Sequence, residues 1–187
     1  MAAGRRREIA NELDGRVRWV RRTFLLLPGV GQRPEYDDYV IRHRRLAAQR
    51  APELGFVIPE LGHPYPGSSL PAQQLAMHVE ATWPERQTAL EDALYRATFT
   101  ELADLADPEV LRRCARAARV PETGVEVALR DPALAARAHE EHREAAAHGI
   151  TGIPALVVPG HAPMVGAVPA ARYREMLAGV IDADVDT

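Results

Sequence analysis

The sequence has no lysine and a single cysteine, Cys114. Its 23 basic residues are therefore all arginine. Without lysine there is no Schiff-base chemistry and no phosphate-loop lysine. One cysteine excludes, within these 187 residues, a disulfide framework, a CxxC redox pair and a cysteine zinc knuckle. Long apolar runs are also lacking, and nothing approaches the ~18 uncharged residues of a membrane span. The basic start Met1-Ala-Ala-Gly-Arg-Arg-Arg is followed by Glu8, Asn11, Glu12 and Asp14, not by the apolar core of a signal peptide. The location this points to is the cytoplasm. Neither sign of charge dominates: the net charge of −3 gives no reason to expect a nucleic-acid surface. No GxGxxG or GxxxxGK[ST] motif supports nucleotide binding, and Ser68-Ser69 lacks the GxSxG elbow of a hydrolase.

What is abundant is alanine, 32 of 187 residues, a bias that with the arginines matches a GC-rich coding sequence. With 47% hydrophobic and 26% charged residues the chain is globular in composition. Its length suits one domain with an ample core.

Helix, strand, helical block, strand, strand, helix is the predicted order. Residues 4–13 read as a helix stopped at Asp14-Gly15, with Gly15 able to take the left-handed C′ position. Residues 16–27 alternate and then turn apolar, which predicts a strand that Pro28-Gly29 stops. An arginine-rich helix is expected over 35–50, then an irregular loop from Gly55 to Pro71 with Pro59, Pro64 and Pro66. Four helices follow, near 71–81, 85–103, 108–119 and 131–148, with Thr123 to Asp131 read as a break or turn. Asp107-Pro108 and Asp131-Pro132 are N-cap and N1-proline starts, and His148-Gly149 is a helix stop. The tail holds a β run from Ile153 to Val158, a turn at Pro159-Gly160-His161, and a second strand at Met164–Ala167. Pro169 then starts a last helix to about Val180, with Tyr173, Met176, Leu177 and Val180 on one face and an acidic end that frays from Asp182.

His139-Glu-Glu-His142 with His148 has the look of a metal site, but HExxH needs i,i+4 spacing and this is i,i+3. A solvated polar face is the plainer reading, and no metal is expected. His63, with Tyr65, Ser68 and Ser69, sits in a Gly/Pro loop that could border a pocket. His43 among arginines reads as surface, and His78 as packed on its helix. Cys114 falls at an apolar helix position and reads as a small buried hydrophobe. Its neighbours Arg113 and Arg116 leave a reactive, low-pKa thiol as the alternative.

The most informative segment is Thr151-Gly-Ile-Pro-Ala-Leu-Val-Val158. A proline there belongs at a strand start, because it cannot donate to a ladder. Gly149-Ile-Thr-Gly-Ile-Pro154, the β run, then Val165-Gly-Ala-Val-Pro169 and a helix with Tyr173 and Leu177 resemble the C-terminal end of the DsbA family. More narrowly, the chain resembles the FrnE-like and 2-hydroxychromene-2-carboxylate isomerase branch. The alanine-rich helices at 71–148 are similar to that branch's all-helical insertion. The resemblance covers essentially Gly4 to Val180.

It implies an α/β fold, thioredoxin-like, one domain over 1–187 with a helical insertion at about 71–148 between the strand at 16–27 and the β-β-α end at 153–180. It implies that Pro154 is the cis-proline opposite the active-site motif. It further implies that Ile153 and Thr151 beside it bind substrate, the backbone of Ile153 docking an extended peptide or glutathione. The family carries a central strand and a CPxC motif, or a serine variant, at the N-terminus of its first helix, where the helix end stabilises a thiolate. In this sequence neither has a counterpart, so the first strand is missing from this chain, a gap of roughly 10–15 residues. A start placed too late, a decayed relative, or a partner chain that completes the sheet would each account for it. The expected function is a homologue of thiol–disulfide oxidoreductases and isomerases that is inactive as a dithiol enzyme, with no catalytic residue assigned. A non-catalytic peptide or small-ligand binding module and a glutathione-dependent isomerase are the alternatives. Expected partners are a peptide thiol or a small-molecule substrate, with no nucleic acid and no membrane. No cofactor is implied beyond glutathione, and the oligomeric state stays open.

Overall fold

The structure, a computed structural model, describes residues 2–13, 15–26 and 35–185. The chain divides into two compact units, Leu25–Glu140 and Met1–Phe24 with Glu141–Thr187.

The larger unit is helical: α2 (Asp38–Arg50), α3 (Leu70–Thr82), α4 (Gln87–Phe99), α5 (Pro108–Ala117), α6 (Glu122–Arg130) and the start of α7 (Pro132–Ala147). Caps written in the sequence set several of these starts. Asp37 accepts from Val40 N at 2.8 Å, Asp107 from Glu109 N at 2.9 Å and Asp131 from Ala133 N at 2.8 Å. Helical spacing then brings Leu75 and Val79 of α3, Leu90 and Leu94 of α4, Leu111, Cys114 and Ala115 of α5, and Val125 and Ala128 of α6 into one core. Burying each of the larger aliphatic side chains contributes about 1.5–3 kcal/mol. The alanines have a packing role here, since Ala72, Ala97, Ala115, Ala118 and Ala128 let the helices approach.

The turn expected at 123–131 is instead α6. Gly124 lies inside this helix, where a Cβ would come within 3.0 Å of the Trp83 ring. Buried Gln74 donates from Nε2 to the carbonyls of Ala128 at 3.1 Å and Asp131 at 3.3 Å, which satisfies the end of that helix.

In the smaller unit α1 (Ala2–Glu12) and α8 (Ala170–Val185) pack around a hairpin of β1 (Ala155–Leu156) and β2 (Met164–Val165). Ile9, Val158, Tyr173 and Leu177 form its core, with Leu156, Met164, Val17 and Trp19 against it. Arg174 on α8 clamps α1 by pairing with Glu8 and Glu12, each at 2.6 Å. The guanidinium's hydrogen bond holds the Glu12 carboxyl below the usual range. α8 runs on to Val185, through the acidic residues expected to fray, while the Val180 side chain lies outside the described residues. So does Asp14 at the end of α1, whereas Gly15 has φ +77.

The strand expected at 16–27 is not formed among the described residues. Residues 18–24 belong to no helix or ladder, and Leu27 lies outside the described residues. Their exposure still alternates as a strand's does: Trp19, Arg21 and Thr23 turn inward, Arg18, Val20 and Arg22 outward. What is missing is a neighbour. The sheet among the described residues is β1 paired with β2 only, and the Thr23 N–H goes to Glu141 Oε2 at 2.7 Å instead. No described helix is long and apolar enough to cross a membrane.

Candidate functional site

The hairpin is built by its turn residues. After α7, Gly149 at φ +76 ends the helix, and Ile150 N donates back to Ala145 O at 3.0 Å. Thr151 and Gly152 then lead to Ile153, and the Ile153–Pro154 peptide is cis. Gly160 at φ +78 and the His161 N to Val158 O bond of 3.1 Å make the turn. Ala155 faces Val165 and Leu156 faces Met164, while Gly166 N donates to Pro154 O at 2.7 Å. The alternation gives the hairpin two faces. Leu156, Val158 and Met164 enter the core, while Ile153 (51% exposed), Val157 and Val165 point outward.

Thr151, Ile153 and Pro154, the residues expected to bind substrate, are consecutive or nearly so at the start of β1. Thr151 and Ile153 are exposed and Pro154 is half-buried. Among the described residues the Ile153 backbone makes no hydrogen bond, and β1 pairs on one side only.

Cys114 lies in the other unit, on α5, 3% exposed and in the core of the helices. Burial pushes its thiol above the ordinary range, and the guanidinium of Arg113 only partly opposes this. Burial and desolvation therefore favour the small buried hydrophobe over the reactive thiol. A cavity of about 190 Å³ lies against it, bounded by Ala93, Ala97 and Ala117 with Arg96, Glu101 and Arg113.

The histidines are structural or solvated. His142 stacks edge-on to Phe24 at 4.8 Å, His78 edge-on to Trp83 at 5.5 Å, and His43 lies against Tyr39 at 4.1 Å. No group of three metal-ligating side chains occurs among the described residues. In the Gly/Pro loop, His63 is exposed and Ser68 Oγ accepts from Leu70 N at 3.2 Å, so that loop caps a helix. Tyr36 packs beside Tyr65 at 4.7 Å and His63 at 6.0 Å.

Two buried charged groups escaped the sequence reading. Arg44 is buried between Tyr36 and Phe99, its guanidinium 5.6 and 5.2 Å from the two ring centres. Burial lowers its pKa and raises those of Tyr36 and Tyr65. Glu141 is buried on α7 and accepts from Arg22 Nη1 at 3.4 Å as well as from Thr23. The signal for Arg44 was its place three residues after Ile41, on the same helix face.

No curated protein matches the chain. Among solved structures it is similar to a candidate protein disulfide isomerase from Nitrosomonas europaea, with 19% identity and a TM-score of 0.75 over 97% of this chain and 90% of that one. It is also similar to a candidate DsbA oxidoreductase from Streptomyces coelicolor, with 25% identity and a TM-score of 0.67 over 84% of this chain and 73% of that one. The model of the DSBA-like thioredoxin domain matches residues 7–178, and the chain therefore belongs to that family, with its thioredoxin-like α/β fold and helical insertion.

Proposed function

We propose that this sequence keeps the substrate-docking element of a thiol–disulfide oxidoreductase of the DsbA type and does not itself exchange a dithiol. The family supplies the first half of this reading. The observation that carries the second half is Cys114: the one thiol of the sequence is buried in a helical core, with its pKa raised. A thiol exchanges as the thiolate and needs access, and Cys114 has neither.

The docking element is Thr151, Ile153 and Pro154. An extended peptide, or glutathione, is suited to pair with the free backbone groups of Ile153, and the exposed Ile153 side chain adds an apolar contact. Titration calorimetry with reduced glutathione and with reduced insulin B chain tests this. Binding of at least one is expected. It should be lost in Ile153→Glu, whose circular dichroism should match the parent because the site is exposed. No binding of either ligand, or binding that Ile153→Glu leaves unchanged, contradicts the docking assignment.

A further inference from the structure

The helix α2 has an outer face that the fold does not use. At 100° per residue, Ile41 and Arg44 point inward, and Tyr39, Arg42, His43, Arg45, Leu46 and Arg50 are all exposed. Tyr39 (61% exposed) and Leu46 (42%) are seven residues apart and form the middle of the strip. Arg42 flanks them on one side with Arg45 beyond it, and Arg50 and His43 flank them on the other. Several surface arginines on other elements are neutralised: Arg112, Arg113, Arg116, Arg130, Arg172 and Arg174 each pair with a glutamate. Arg42, Arg45 and Arg50 make no ion pair among the described residues. The only acid on the helix is Asp38, at its first turn.

We propose that this face of α2 docks the protein on an anionic lipid surface. Charge complementarity argues for it, because three uncompensated guanidiniums meet several lipid phosphates at once. The arrangement argues for it too. Tyr39 and Leu46 lie between the cations and can enter the headgroup boundary while the arginines stay at the phosphates. The strip is the outer side of one helix, and it does not line the cavities of about 450 and 190 Å³ found elsewhere in the helical unit. A flat partner fits this surface better than a peptide that needs a groove. The attachment is peripheral, and it is local, since the chain as a whole carries a net charge of −3.

Co-sedimentation with vesicles tests this, using phosphatidylcholine alone and phosphatidylcholine with about one third phosphatidylglycerol. The protein should sediment with the anionic vesicles only, and less as salt rises. Each arginine near the surface is worth about fivefold in partitioning, so the triple variant R42Q/R45Q/R50Q should lose on the order of a hundredfold. Tyr39→Ser with Leu46→Ser should lose about tenfold on the same vesicles. A control of equal charge, R116Q/R130Q/R172Q, should leave partitioning within about twofold, because those arginines are already paired. Four results would overturn the proposal: no sedimentation with anionic vesicles, equal sedimentation with neutral ones, equal losses in the two triple variants, or capture of polyglutamate or an RNA homopolymer with no vesicle binding.

Discussion

Arg44 Nη2 donates to the Phe99 carbonyl at 2.8 Å, so a guanidinium from α2 closes the C-terminal end of α4. The same nitrogen reaches Thr98 O at 2.9 Å, and Nε reaches Val57 O at 2.6 Å. Truncation would leave the Thr98 and Val57 carbonyls without these donors in a part-buried setting, each at a cost of about 1–3 kcal/mol where water cannot replace the donor, while the Phe99 carbonyl keeps the Val57 N–H at 2.9 Å. Arg44→Ala should therefore lower stability by roughly 3 kcal/mol in urea unfolding. Arg44→Lys should recover less than half of this, because an ammonium lacks the fork that spans the three carbonyls.

Glu141 is expected to behave in the same way on a smaller scale. Its Oε2 satisfies the Thr23 N–H at 2.7 Å, and both residues are buried. Glu141→Ala should cost about 1–3 kcal/mol, and Glu141→Gln less, since the amide oxygen still accepts from that N–H. Thermal unfolding of the two variants checks the ranking.

Those two residues also show where sequence reading reached its limit. The helix caps at Asp107 and Asp131, the stop at Gly149 and the turn at Gly160 were legible because each is a local rule read from adjacent residues. The hairpin was legible for the same reason, and so was the family. Arg44 and Glu141 were not, because what buries them is a backbone group 55 or 118 positions away. The helix α6 was missed for a related reason, since the Trp83 ring crowded against Gly124 belongs to a distant segment just past the end of α3. The alternation at 17–25 was read correctly as strand-like in its exposure, but a strand also needs a neighbour, and alternation alone does not supply one.

Alkaline pH should destabilise the helical unit. Burial raises the Cys114 thiol above its ordinary 9.0 and the phenols of Tyr36 and Tyr65 above 10.0. A raised folded-state value means that the folded protein holds these protons more tightly than the unfolded chain. The stability they confer is complete below the ordinary values and is lost as pH climbs through the folded ones. The urea midpoint should therefore fall between about pH 8 and about pH 11, and less steeply in Tyr65→Phe.

The native Cys114 thiol should be labelled slowly by a water-soluble disulfide reagent at neutral pH. In urea it should react at the rate of an unstructured thiol, because unfolding removes the burial that protects it. Stopped-flow absorbance under the two conditions gives the ratio directly.

The central claim is that the chain docks thiol substrates and does not turn them over, and reduction of insulin by dithiothreitol in the presence of the protein tests it most directly. The account predicts precipitation of the insulin B chain at the uncatalysed rate, the same for the parent and for Cys114→Ser. Acceleration by the parent that Cys114→Ser abolishes would contradict it, because the buried thiol would then be doing the chemistry.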